Sequence, residues 1–347
     1  MLNEVWTFCE QKDHHLCDIS FELLSWGRKL ADTRKTNLCA VVLTDQLDQS
    51  ELNHLFLYKA DKIYFVQNSI FANFLVEPQA HTLEFLVKKY QPEIILAGAT
   101  TTGRTVMPYL AMMLHTGLTA DCTGLEIEES TGNLLQIRPA IGGNIMATIK
   151  TPNTRPQMST VRPRSIEVAE PDTKYQGEIV SVEIPEDHLR SRMRFEKFVS
   201  YSQGNIGLQE ANVVVSSGIS MQSTEAIKLV ENLAKVLGGA IGSSRPPVDQ
   251  GMQPYARQVG LSGHTISPFL YVACGISGAV QHLAGIQTAK NIIAINKDPD
   301  APIFTVADFG IVGDALQILP VLIKFIENDL QEDRTIARKK FKDVDSF

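Results

Sequence analysis

Residues 269–285 read FLYVACGISGAVQHLAG, an apolar run that ends in Gly275 and Gly278 just ahead of a helix of small residues. Backbone amides at such a helix start can approach an anion with no Cβ in the way, which suits a pyrophosphate. Glycine-rich turns between strand and helix also serve close packing, and the turn alone leaves both uses open. Gln281 and His282 follow about one turn later along the helix. An imidazole there can donate a hydrogen bond, or as imidazolium a full charge, to a carbonyl oxygen that turns negative when a ligand is reduced. The alternative is a structural histidine satisfied inside the protein.

Two loops of small polar residues supply the surroundings, GSSRPPVDQG at 242–251 and VGLSGHT at 259–265. Arg245 is their fixed cation, since guanidinium stays protonated and can stack on or edge a flat ring; the plainer role is a surface ion pair. Ser262 offers a hydroxyl to a ring nitrogen, or it closes a turn. Asn296, Asp308 and Asp314 lie near the last two expected strands and can read an adenine or a ribose, with helix capping the competing role for Asp314. A second glycine-rich turn, LAGATTTGRT at 96–105, follows a strand in the first half and is weak by itself. No GKS/T, GxSxG, HExxH or paired CxxC motif occurs, so hydrolase and kinase chemistry has no positive support.

The elements that must position these groups alternate along the chain. Short apolar runs at 5–8, 38–43, 62–66 and 93–98 are separated by helical stretches through Leu23 to Leu30, 50–59 and 79–90. That rhythm is what buried parallel strands with crossover helices produce. Residues 121–184 change to short β-like runs broken by Pro152, Pro156, Pro163 and Pro171, which predicts hairpins or edge strands that extend the first sheet. The charged run at 188–198 reads as a helix or linker between halves. The second half restarts with a strand at 212–217 and a helix from Ser223 to Leu237 with Ile227, Val230, Ala234 and Leu237 on one face, stopped by Gly238 and Gly239. Strands at 269–274, 292–296 and 303–306 follow, with helices from about 277 and 313 and a polar tail that is a solvated end or a partner-facing arm.

With 347 residues the chain exceeds what one core serves, and a 44% hydrophobic, 20% charged composition is that of a folded globular protein. A net charge of −7 favours neither nucleic acid nor an anionic membrane. The N-terminal residues hold no apolar run of signal or membrane-spanning length, so a cytoplasmic protein without membrane insertion is expected. Cys9, Cys17, Cys39, Cys122 and Cys274 are scattered, and the cluster Cys9, His14, His15, Cys17 lacks the two close pairs of a zinc site; no metal is expected.

Taken in order, GSSRPPVDQG, VGLSGHTISPFLYVACGISGAVQHLAG and IIAINKDPDAPIFTVADFGIVGD resemble the FAD domain of the electron transfer flavoprotein alpha subunit, strongly over 211–325. The first half resembles the family's N-terminal domain in layout and in STVRP at 159–163. The resemblance implies an α/β fold of two Rossmann-like parallel-sheet domains. One spans 1–190, partner-facing with a nucleotide-hydrolase-like layout, and an FAD-binding domain with the polar tail spans 205–347. It implies a heterodimer with an electron transfer flavoprotein beta subunit that carries AMP or a second FAD. Electrons would then arrive from a flavin dehydrogenase of acyl-CoA type; in bifurcating members NADH is oxidised while ferredoxin and an acyl-CoA-type acceptor are reduced.

By the same resemblance Arg245 packs by the isoalloxazine, Ser262 meets its N5 edge, Gln281 and His282 face N1 and O2, and Gly263 is a further cofactor-binding residue. Ser244, Gly275, Ser277 and Gly278 serve the linker and pyrophosphate, while Asn296 and Asp314 sit toward the adenosine. Positive charge from Arg245 and a donor at His282 would stabilise the negative charge of a reduced flavin. Two departures stand out. Many members carry an arginine where this chain reads Ser217-Gly218-Ile219-Ser220, and often a glutamine where it has Leu261. The first of these is the support for a third reading, a nucleotide-binding regulatory protein without redox work.

Overall fold

The computed structural model describes residues 4–140, 145–197, 207–209 and 211–342, with side chains as far as Asp329. The chain divides into two compact units, Met1–Phe198 and Val199–Phe347, each with its own hydrophobic core.

In the first unit β1 (Val5–Cys9) leads through a small hairpin, β2 (Gln11–Lys12) and β3 (His15–Leu16), into α1 (Asp18–Arg34). Then come β4 (Leu38–Thr44), α2 (Gln49–Leu57), β5 (Lys62–Gln67), α3 (Val76–Tyr90), β6 (Ile94–Gly98) and α4 (Thr101–Met113). Every residue of β1, β4 and β6 is buried, because packed residues cover both faces of the sheet and leave no side that alternation could mark as wet. Burial extends to Glu4, whose carboxylate is satisfied by Trp6 Nε1 at 3.0 Å, Tyr64 Oη at 2.9 Å and Lys62 Nζ at 3.3 Å.

Residues 118–181 supply both edge strands of the first sheet, as expected, and depart from the expectation by also supplying a strand inside it and a separate small sheet. β7 (Leu118–Cys122), β11 (Gln157–Val161) and β12 (Glu178–Ser181) do join the sheet, in the order β12-β5-β4-β1-β6-β11-β7, with parallel pairing throughout. β11 lies inside it, fully buried between β6 and β7. Proline flanks the strand at Pro156 and Pro163 without entering it, so no ladder donor is lost. β8 (Gly124–Ile127), β9 (Leu134–Pro139) and β10 (Met146–Ile149) form a separate antiparallel sheet. The charged run resolves to one 3₁₀ turn, Glu186–Leu189, and then non-helical chain to residue 197; its continuation at 198–206 lies outside the described residues.

The second unit contains β13 (Val213–Ser217), α5 (Thr224–Val236), β14 (Ala240–Ser243), α6 (Arg245–Asp249), β15 (Leu270–Cys274), α7 (Val280–Ile286), β16 (Asn291–Asn296), β17 (Phe309–Val312) and α8 (Ala315–Lys342). Ser223 caps α5 by accepting from Ala226 N at 3.1 Å. That helix buries Ala226, Val230, Leu233 and Ala234, a face rotated slightly from the expected one, and Val230 and Leu233 each contribute about 2 kcal/mol of burial. The strand expected at 303–306 is instead a 3₁₀ turn, Pro302–Thr305, and the edge strand is β17. Pro302 has no amide for a ladder, and Ile303, fully buried, turns its amide back to Ser277 O at 3.0 Å. α8 continues through most of the polar tail; residues 343–347 lie outside the described residues.

The five parallel strands run β14-β13-β15-β16-β17. The chain leaves β13 toward one side for β14 and returns on its other side for β15. The helices that follow β13 and β15 pack on opposite faces of the sheet, which makes the carboxyl ends of these strands its topological switch point, where a ligand crevice outside the strand ends is expected.

Candidate functional site

At that switch point the turns after β13 and β15 touch backbone to backbone. Gly218 N donates to Cys274 O at 2.8 Å, and Ser220 Oγ donates to Gly275 O at 3.1 Å. A Cβ on Gly218 would stand 1.9 Å from Gly275 O, so only glycine fits. Gly275 and Gly278 hold φ of +65° and +87°, the left-handed region, and a Cβ on Gly278 would meet Ile303 N at 2.3 Å. The result is a glycine-walled entry to α7 from which Ser277 and Gln281 project exposed.

β14 delivers Ser244 and Arg245 to the same edge. Ser244 N donates to Ser217 O at 2.9 Å, next to the Gly218 turn. Arg245 opens α6 with its side chain 65% exposed and pairs with Asp249 one turn on, Nε to Oδ2 3.0 Å. Such an exposed pair is worth little, so the guanidinium is free to change partners at small cost.

The 258–264 loop lies against α7. Leu261 N donates to Gln281 O at 2.7 Å, Gly263 N donates to Gly260 O at 3.0 Å, and Val259 N joins the loop to Ser243 O at 2.8 Å. Gly260, at φ +140°, lets the two backbones meet, for a Cβ there would lie 2.9 Å from Gln281 O. Ser262 is exposed, its Oγ accepting from Gln258 Nε2 at 3.0 Å. The structure thus brings Ser244, Arg245, Ser262, Gly263, Gly275, Ser277, Gly278 and Gln281 to adjoining turns of one sheet edge.

His282 is placed differently from the sequence expectation of a ligand donor. It is buried, with Nδ1 3.1 Å from Val259 O and Nε2 2.8 Å from Tyr271 Oη. Desolvation pushes the imidazole down to about 4, so the ring is neutral at physiological pH and supplies no full charge. Both nitrogens are engaged inside the protein. The sequence shows Tyr271 only as part of an apolar strand; a phenol in such a strand is the available signal, because once buried its hydroxyl must find a partner.

Asn296 and Asp314 also sit at the carboxyl edge, each with a structural bond. Asn296 Nδ2 donates to Ile276 O at 2.9 Å, which pins the turn after β15. Asp314 accepts from Leu316 N at 3.0 Å at the start of α8 and pairs with Lys297 at 3.1 Å, and these two contacts hold its carboxyl below the usual range. Asp308 is a correction. Its carboxylate accepts from Ile292 N at 2.7 Å, at the amino ends of β16 and β17, on the opposite edge from the site.

The corresponding switch point of the first unit is closed by its own side chains. In the LAGATTTGRT turn Thr100 accepts from Gly103 N at 3.0 Å, capping α4, and donates to Glu10 Oε1 at 2.6 Å. Burial pushes the Glu10 carboxyl up to about 7. Among the described residues no cluster of His, Cys, Asp or Glu could hold a metal, no cysteine is in a disulfide, and no helix is long and apolar enough to cross a membrane.

The residues of the second unit fit a dinucleotide. The glycines let the turns pack closely at the strand ends, and the exposed Ser277, Gln281, Ser262 and Arg245 side chains stand around them. The 218–222 loop, Gly218-Ile219-Ser220-Met221-Gln222, brings no cation to them, and Ile219 is 46% exposed there.

Comparison with known proteins agrees with this geometry. Residues 5–187 match the electron transfer flavoprotein domain, and residues 207–287 match the electron transfer flavoprotein FAD-binding domain. The chain is 44% identical over 324 residues to an electron transfer flavoprotein subunit alpha of Thermoanaerobacterium thermosaccharolyticum, covering 93% of this chain and 98% of that one. It is 41% identical to the protein FixB of Clostridium saccharobutylicum, over 92% of this chain and 95% of the relative. Against the lactate dehydrogenase (NAD(+),ferredoxin) subunit LctC of Acetobacterium woodii it is 39% identical, over 89% of this chain and 73% of that protein. The chain belongs to the electron transfer flavoprotein family as an alpha subunit, an electron-transfer protein whose second unit is its FAD-binding domain.

Proposed function

We propose that the crevice between β13 and β15 holds the FAD of a heterodimeric electron carrier that takes electrons from a flavin dehydrogenase of acyl-CoA type. Bound FAD supplies the redox chemistry, and the chain supplies position and electrostatics. The amides of the 276–279 turn and the Ser277 hydroxyl receive the pyrophosphate, with Gly218, Gly275 and Gly278 setting the close packing that shapes the turn. Arg245, leaving Asp249, edges the isoalloxazine with Ser244 beside it. Ser262, Gly263 and Gln281 line the ring's rim, and Asn296 and Asp314 hold the adenosine end. His282 orients the rim from behind rather than charging it. The observation that carries this reading is the backbone contact between Gly218 and Gly275 at the switch point of a domain that binds FAD.

The partner is an electron transfer flavoprotein beta subunit carrying AMP or a second FAD. A second reading, a subunit of a complex that splits electrons from NADH between ferredoxin and an acyl-CoA-type acceptor, is favoured by the likeness to a subunit whose name includes NAD(+) and ferredoxin. Counting flavins in the purified heterodimer separates the two. One flavin and no reduction by NADH supports the carrier, whereas two flavins with NADH-driven reduction of ferredoxin supports bifurcation. A colourless preparation that binds AMP alone would overturn both and favour a regulatory nucleotide binder.

A further inference from the structure

We infer that Tyr271 is a positioning residue that holds the His282 imidazole in a single neutral tautomer, and so fixes the loop carrying Ser262 against the helix carrying Gln281. The assignment of hydrogens follows from the partners. Val259 O, 3.1 Å from Nδ1, is a carbonyl and can only accept, so Nδ1 carries the proton. In the neutral ring Nε2 is then a lone pair, and the phenol 2.8 Å away must donate to it. Tyr271 is the second residue of β15 and has no exposed surface.

The imidazole therefore joins three elements at one point: β15 through Tyr271, α7 through its own backbone, and the 258–264 loop through Val259. Backbone bonds also join loop and helix, Leu261 N to Gln281 O at 2.7 Å and Ile266 N to Gly285 O at 2.9 Å. Within this set the side-chain link to the sheet is the phenol. The ring faces Tyr271 and the Val259 carbonyl, and Cys274 lies near the phenol; burial keeps the neutral forms of all three side chains. An uncharged knot holds its geometry while the solution pH changes, and it leaves the charge felt in the crevice to Arg245.

This inference rests on the reading that loop and helix face the flavin, and its test keeps the two apart. The full-length chain, assembled with its beta subunit and labelled with ¹⁵N-histidine, is examined by long-range ¹H–¹⁵N correlation, with His282→Gln assigning the signal. The expected result is a protonated Nδ1 and an unprotonated Nε2 from about pH 5 to pH 9. In Tyr271→Phe the same ring should show mixed tautomers and titrate at higher pH, because a bond to the neutral form is gone. The Leu261 amide should exchange about tenfold faster, the factor one buried hydrogen bond corresponds to. A proton on Nε2 in the parent protein, or a Tyr271→Phe variant with unchanged tautomer and exchange, overturns the inference. FAD affinity, measured in parallel with Arg245→Gln, tests the site reading separately, since a flavin held elsewhere would leave that affinity unchanged without altering the tautomer.

Discussion

Acidification should weaken the second unit through one ring. Folding lowers the His282 pKa from the ordinary 6.5 to about 4, with burial the main cause. Between those values the unfolded chain takes up a proton that the folded state refuses, so stability rises with pH there. The contribution is fully present above about 6.5 and is lost as the pH falls toward 4. Moving from about pH 7.5 to about pH 5 costs roughly 2 kcal/mol on this account. His282→Gln removes the titrating group, so the parent protein loses that amount and the variant does not. Urea unfolding of both proteins at the two pH values, read in the β13 and β15 peptides by a constant-pH hydrogen-exchange pulse, should show the stability gap between them narrowing by about 2 kcal/mol in acid. A gap that stays constant across the two pH values refutes the argument, because other acid-sensitive groups are common to both proteins and cancel.

Glu10 runs with the opposite sign. Its carboxyl is raised from 4.5 to about 7 by burial, so its ionisation opposes folding as pH rises through that range. Glu10→Gln, which keeps an acceptor for Thr100, should stabilise the first unit by about 3 kcal/mol at about pH 8 and hardly at all near pH 4.5; both tryptophans, Trp6 and Trp26, lie in that unit, and their fluorescence follows its unfolding. Gly218→Ala forces a Cβ onto Gly275 O and should abolish FAD retention on a sizing column while the first unit unfolds at its usual urea concentration. Arg245→Gln should leave the fold intact and lower the flavin midpoint potential by an amount on the order of tens of millivolts in a spectroelectrochemical titration; an unchanged potential would remove Arg245 from the ring.

Much of the scaffold was legible because buried parallel strands announce themselves as uninterrupted apolar runs. β4 and β15 are such runs, and the segments between them repeat at helical spacing. β14, four residues with Gly242 at its centre, lacks that signal and went unread. β17 went unread too, since all four of its residues are exposed, whereas the apolar stretch at 303–306 looked like a strand while serving as a prop under the 275–278 turn. Pro156 and Pro163 suggested an edge when they only bracket β11, which lies inside the sheet next to the edge strand β7.

For the site, local chemistry was enough to nominate the glycine turns, Arg245 and the two serine loops, because each depends on residue type and immediate neighbours. What Asp308 and His282 do depends on where the strands begin and end and on which side chains the packing brings opposite them. A carboxylate one strand-length away falls on the wrong edge, and a histidine one turn into a helix meets a phenol from another element. The amino-acid sequence by itself determined the fold class through its periodicity, and the family and cofactor through the resemblance of its ordered motifs to a known family. Only the tertiary structure decided that the imidazole is neutral and turned inward, because desolvation and hydrogen-bond partners come from residues that are neighbours in space and not along the chain.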